Sequence, residues 1–154
     1  MNMAIKKIEM HALSIKQPWA TLVVHGLKTI EIRGWQTGLR GRILIHTGRF
    51  ADDRAAAWKH VPKRLLPSTE LRGGIVGSVE LGECLTYHSL EAFVEDRDRH
   101  LNEPGWFMGP EMFGFRMTNP EVVPFWPTSG QVRFFRVTMP KPPKRRRLVI
   151  PPGT

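Results

Sequence analysis

Along the first third of the chain the apolar positions change period repeatedly. HALSI at 11–15 is a short apolar run of the kind a buried strand makes, and PWATLVVH at 18–25 spaces its apolar side chains as a helix does. Pro18 suits the first helical turn because the donor it lacks has no partner there, and Gly26 suits a left-handed stop. LKTIEIR at 27–33 alternates like a strand, with Ile30 and Ile32 on one face and Thr29, Glu31 and Arg33 on the other. A turn marked by Gly38 and Gly41 leads to a second strand, RILIHT at 42–47. Residues 52–60 predict a short helix capped by Asp52 or Asp53, and 61–73 a loop punctuated by Pro62, Pro67 and Gly73.

Further along, IVGSVEL at 75–81 predicts a strand. Residues 89–101 predict a helix with Ser89 as N-cap and Leu90, Phe93, Val94 and Leu101 on one stripe. Strand-like runs return at 113–118 and 132–138, with a proline-rich turn between them. GWFMGPEMFGF at 105–115 reads as a core-closing loop or as one wall of a cleft. Strands dispersed among short helices predict an α+β fold or a small barrel flanked by helices. No repeated βαβ spacing supports a doubly wound sheet. The length fits one domain over 1–140, followed by an extended, basic, proline-rich tail over 141–154.

Charge changes this picture. The net charge is +9, but five of the cations (Lys141, Lys144, Arg145, Arg146, Arg147) follow Pro140, where no acidic residue occurs, which leaves +4 on residues 1–140. A basic body with an intensely basic tail fits a polyanionic partner. No apolar run approaches the roughly 18 residues of a membrane span, so no membrane association is expected. A lone Cys84 excludes an internal disulfide and suits a reducing compartment, cytoplasmic or, in a eukaryote, nuclear. Cys84 itself reads as a small structural residue. No closely spaced Cys/His set, phosphate-cradling G-x-x-x-x-G-K loop or G-x-S-x-G elbow occurs, so neither metal nor cofactor is expected.

The candidate chemistry lies just after the first helix. Glu31 and Arg33 share a strand face, and Lys28 joins them only if the strand opens with a bend, which Gly26 permits. Glu31 would then hold the cations in place, Arg33 would offer a planar fork to a phosphate or base edge, and Lys28 a compact point charge. Trp19 and Trp35 flank the cluster as stacking platforms for an unpaired base. Arg40 and Arg42 extend the basic surface or sit on a solvated turn. A structural ion network with Trp19 as core fits the same spacing, so both readings stand open here.

Three blocks resemble a known family. LSIKQPWATLVVHGLKTIEIRGWQT with RGRILIHT, then GFRMTNPEVVPF, then SGQVRFFRV are similar, in that order, to the ASCH domain (activating signal cointegrator homology), whose G-x-K-x-x-E-x-R pattern is met by Gly26, Lys28, Glu31 and Arg33. The resemblance implies a PUA-like fold, a small β-barrel of mixed, mainly antiparallel strands with a helix at its mouth. It also implies binding of nucleic acid, RNA before DNA, in the cleft that the motif lines. Trp19, Trp35, Arg40, Arg42 and the tail cations Lys144, Arg145, Arg146 and Arg147 would then add contacts. Some relatives resemble nucleoside amidohydrolases that use a lysine, a threonine three residues later and a distant glutamate. Lys28 matches, but Glu31 stands in the threonine position, and Glu80 or Glu83 would have to supply the acid. A metal-independent ribonuclease would draw on Lys28, Glu31 and His46, although a buried, satisfied histidine is the plainer reading of His46. A third possibility is a coregulator-like module with protein partners.

Overall fold

The computed structural model describes residues 5–143. Lys144, Arg145, Arg146 and Arg147, the tail cations expected to meet nucleic acid, lie outside the described residues.

Six strands form one mixed sheet. They are β1 (Lys7–Ser14), β2 (Ile30–Arg33), β3 (Gly41–Thr47), β4 (Gly74–Tyr87), β5 (Met112–Pro127) and β6 (Phe134–Pro140), in the spatial order β2-β5-β4-β3-β1-β6. All neighbouring pairs are antiparallel except β1 and β3, which run parallel. The backbone ladder does not close, so the expected barrel is a sheet with two edges, β2 and β6. Side chains bridge the gap instead. Arg33 on β2 donates to the Ser14 carbonyl at the end of β1 (2.8 Å), and Trp35 packs edge-on against Phe115 of β5 and Phe134 of β6.

Helix α1 (Trp19–Val24) lies across this sheet and is buried along its whole length. Its N-terminus is capped by a residue that the pattern did not single out. The Gln17 side-chain oxygen accepts from the Thr21 amide (3.0 Å) and hydroxyl (2.8 Å), while its amide nitrogen faces the Ser68 and Leu71 carbonyls. Gly26 ends the turn in the left-handed region (φ 77°), as expected. Along β3, Ile43 and Ile45 face α1, whereas Leu44 faces a second apolar cluster with Ala12, Ile75, Val123, Phe135, Val137 and Met139. Both faces of β3 are therefore covered, which is why Ile43, Leu44 and Ile45 form an unbroken apolar run.

Four expectations are corrected. Strand β4 continues past 81 to Tyr87, bending through a register shift between Leu81 and Cys84. The proline-rich turn after 118 does not form, because β5 continues through it. Beyond Met117 that strand is hydrogen-bonded to β4 only, so prolines there remove no ladder bond on the free side, and Asn119 (φ 48°) lies where the register shifts. The 89–101 helix is two short pieces, α3 (Leu90–Glu95) and α4 (Arg97–His100), after α2 (Ala55–Trp58). Ser89 does cap α3, but Leu90 and Val94 are exposed, and the buried residues are Phe93 and His100, whose rings stack at 4.2 Å. Finally, α2 has Arg54 at its N-cap, and neither Asp52 nor Asp53 caps it, because Asp52 is engaged elsewhere. Cys84 is free and packs beside the α1 cluster, as expected of a structural residue. Among the described residues, no helix is long and apolar enough to cross a membrane.

Candidate nucleic-acid interface

The turn after α1 draws the charged trio together. Gly26 reverses the chain, and the Leu27 and Lys28 amides both donate to the Leu22 carbonyl, so Lys28 precedes β2 instead of continuing its alternation. Its side chain turns inward and is 1% exposed. The ammonium donates to the His100 carbonyl, lies 3.6 Å from Glu31 Oε1 and sits 4.9 Å from the centre of the Trp19 ring. Arg33 Nη2 meets the other oxygen of Glu31 at 3.1 Å while also holding Ser14. Glu31 thus bridges the two cations, as the sequence suggested. Burial pushes the Lys28 ammonium down from 10.5 to about 8, against the opposing pull of Glu31.

The trio borders a hollow of about 400 Å³, within the range of small-ligand sites. Lys16, Lys28, Arg33, Arg49 and Arg54 line it, against two carboxylates, Glu31 and Asp52. Both carboxylates are occupied. Asp52 accepts from Trp19 Nε1 (2.8 Å) and from Arg54 Nη2 (2.7 Å), and the Arg54 guanidinium holds its carboxyl well below the usual range. Arg54 in turn sits over Trp106, its guanidinium carbon 3.6 Å from the ring centre, and Trp106 meets Trp19 edge-on. The 105–115 segment therefore supports the cleft from behind and also closes the core. Lys16 and Arg49 form no ion pair among the described residues.

Several sequence candidates lie outside this hollow or present little free surface to it. Trp19 lines it but is 7% exposed and fixed by Asp52. Trp35 packs in the aromatic bridge between sheet edges, with Arg133 over its ring at 5.0 Å. Arg40 folds back on the Thr37 and Leu39 carbonyls. Arg42 pairs with Glu80 (3.4 Å) and donates to the Asn119 carbonyl beside a different hollow. Glu83 pairs with Arg116 at 3.6 Å, so neither glutamate weighed as a distant acid reaches Lys28's hollow. Conversely, Arg49, Arg54 and Asp52 carry the site without having been singled out for it. The G-R-F directly after the β3 run was the only local signal for part of this set.

His46 faces a neighbouring hollow, not the one containing Lys28. Its Nε2 lies 2.8 Å from the Thr128 carbonyl, which can only accept, so the proton is on Nε2 and Nδ1 accepts from the Ser14 hydroxyl at 2.9 Å. His100 is committed in the same way, with Nε2 to the Phe93 carbonyl and Nδ1 accepting from the Asn102 amide. Burial lowers both imidazoles from 6.5. The unfolded chain therefore takes up more protons than the folded one as pH falls through about 6.5, and stability drops with it. Thermal melts at about pH 7.5 and about pH 5.5 are expected to show a lower midpoint in acid, and a His46→Gln variant a smaller difference. An equal difference in that variant would remove His46 from the account.

An ASCH domain family model matches residues 13–117. Activating signal cointegrator 1 from Homo sapiens and that from Mus musculus are each 29% identical over 134 residues, covering 81% of this chain and 22% of their own length. The chain thus spans only about a fifth of these relatives. The crystal structure of ASCH from Zymomonas mobilis aligns with a TM-score of 0.53 at 15% identity, over 76% of this chain and 72% of that one. A mutant form of the same protein gives 0.58 at 13% identity, over 82% and 87%. These two likenesses establish the common fold.

Proposed function

We propose that this chain, which belongs to the ASCH domain family, binds RNA in preference to DNA through the hollow beside Lys28. One observation carries the reading. Five cations surround that hollow, and the two carboxylates among them are consumed by internal partners, so the surplus positive charge is available to an incoming anion. Arg33 supplies a planar donor set at the surface, Lys28 a fixed charge at the floor, and Lys16 and Arg49 unpaired cations on the rim. Members of the family are themselves proposed RNA-binding domains.

The test is a titration of labelled single-stranded RNA, single-stranded DNA and duplex DNA against the full chain, in chelator, over a range of salt. Tightest binding to RNA is expected, with log K falling linearly in log salt by about 0.7 for each phosphate neutralised on a single strand. Deleting residues 141–154 reduces that slope if the tail also contacts phosphate. Weak, sequence-blind binding that vanishes at physiological salt would overturn the reading in favour of a protein-interaction module. Cleavage products that accumulate with time and are lost in Lys28→Met would replace binding with hydrolysis.

A further inference from the structure

A second hollow, of about 710 Å³, adjoins the first, and the two share Ser14, Gly48, Arg49 and Phe50 as a common wall. Phe50 is 81% exposed at this junction, far more than any other aromatic residue among the exposed large hydrophobics of the described chain. Among the described residues no aromatic ring stacks on it and no cation lies over it, so its faces are open. The second hollow is preformed. His46 is locked between Ser14 and Thr128, and the loop passes so close to it that a Cβ on Gly130 would lie 2.6 Å from the imidazole. No acidic residue lines it, and Thr128, Ser129 and Gln131 bring neutral hydrogen-bonding groups.

We propose that the two hollows are consecutive subsites for one RNA single strand, with Phe50 stacking an unpaired base between them and Arg49 meeting the phosphate that joins the two nucleotides. The inference rests on the RNA reading above and adds a register to it. An exposed phenyl ring contributes little to folding, and a base offers it a flat π-surface. Arg49 lies on the shared wall without an ion pair among the described residues, and the acid-free lining of the second hollow suits a strand whose backbone is anionic. Neutral donors and acceptors on the far wall match base edges and ribose hydroxyls.

The experiment compares uridine 5′-monophosphate with uridine oligonucleotides of increasing length, binding to the wild-type chain, Phe50→Ala, Phe50→Trp and Arg49→Met. Wild-type affinity is expected to rise sharply once a second nucleotide is present. Phe50→Ala is expected to lose about tenfold for the oligonucleotides and nothing for the monophosphate, and Phe50→Trp to retain the gain. Arg49→Met is expected to lower the salt slope by about 0.7. Since Phe50 is solvated, its variants should melt with the wild type. Oligonucleotide binding undiminished in Phe50→Ala, or an equal loss for monophosphate and oligonucleotide, would overturn the two-subsite register while leaving RNA binding intact. A wild-type chain that binds neither ligand would overturn both, and retention of an apolar peptide in place of RNA would reassign the Phe50 wall to protein.

Discussion

Lys28→Met is expected to weaken RNA binding by about 10- to 100-fold without unfolding the protein. The loss corresponds to the roughly 1.5–3 kcal/mol of a hydrogen bond made to a charged group. The fold should survive because both oxygen groups that meet the ammonium have a second partner. The His100 carbonyl also accepts from Asn102 Nδ2 at 2.9 Å, and Glu31 also pairs with Arg33. Methionine further removes the charge whose burial is unfavourable. The pH dependence sharpens the test. In the free protein this amine releases its proton near 8, so affinity for an anion should fall between about pH 7 and about pH 9. Stability moves the other way. Unfolded lysine keeps its proton up to 10.5, so between 8 and 10.5 the unfolded chain binds more protons, and Lys28's contribution to folding stability rises with pH. Across this range the wild type should lose affinity in fluorescence titrations and gain stability in denaturant melts, and Lys28→Met, which lacks the titrating group, should show neither change from this position. An affinity unchanged to within about twofold would detach Lys28 from the anion site.

Gly77→Ala is expected to be the most destabilising small change on the sheet. A Cβ there would lie 2.5 Å from the Glu121 carbonyl oxygen on β5 and 2.5 Å from Val24 Cγ1 on α1. Neither neighbour is the free end of a flexible chain, so a strand or the helix must move. The expected loss lies at the upper end of the roughly 1–3 kcal/mol seen for overpacked cores. In a chain of this length that amounts to a fall in melting temperature of about 6–12 °C. Because α1 carries Trp19 into the wall of the hollow, RNA affinity should drop with it. Gly38→Ala, with nothing near its Cβ, is the control and should melt like the wild type. Equal melting of Gly77→Ala and wild type would show that α1 does not bear on β4 as closely as described.

The local signals that proved reliable were those with a local cause. Gly26 stops α1 because only a residue without Cβ readily takes a φ of 77°, and Ser89 caps α3 because its hydroxyl reaches the Ala92 amide within the same turn. The unreliable ones depended on partners distant in sequence. The prolines after 118 predict a turn, yet β4 holds them in a strand from one side. Leu90 and Val94 are apolar at helical spacing, yet Asp96 breaks the helix, its carboxylate accepting from Tyr87 at 2.6 Å, and burial passes to Phe93 and His100.

The candidate site divides along the same line. Sequence alone determined the family, the mixed α+β class and the shared face of Glu31 and Arg33, and it made the arrival of Lys28 conditional on a bend after Gly26, which the structure supplies. Only the tertiary structure decided what surrounds them. Arg54 and Asp52 are brought against Trp19 and Trp106, Arg42 is turned to another hollow, and Ser14 is placed between two cavities. A trio spaced two and three residues apart is positioned by backbone geometry. A cleft is the space left when separate elements pack, and no pattern along the chain encodes that space.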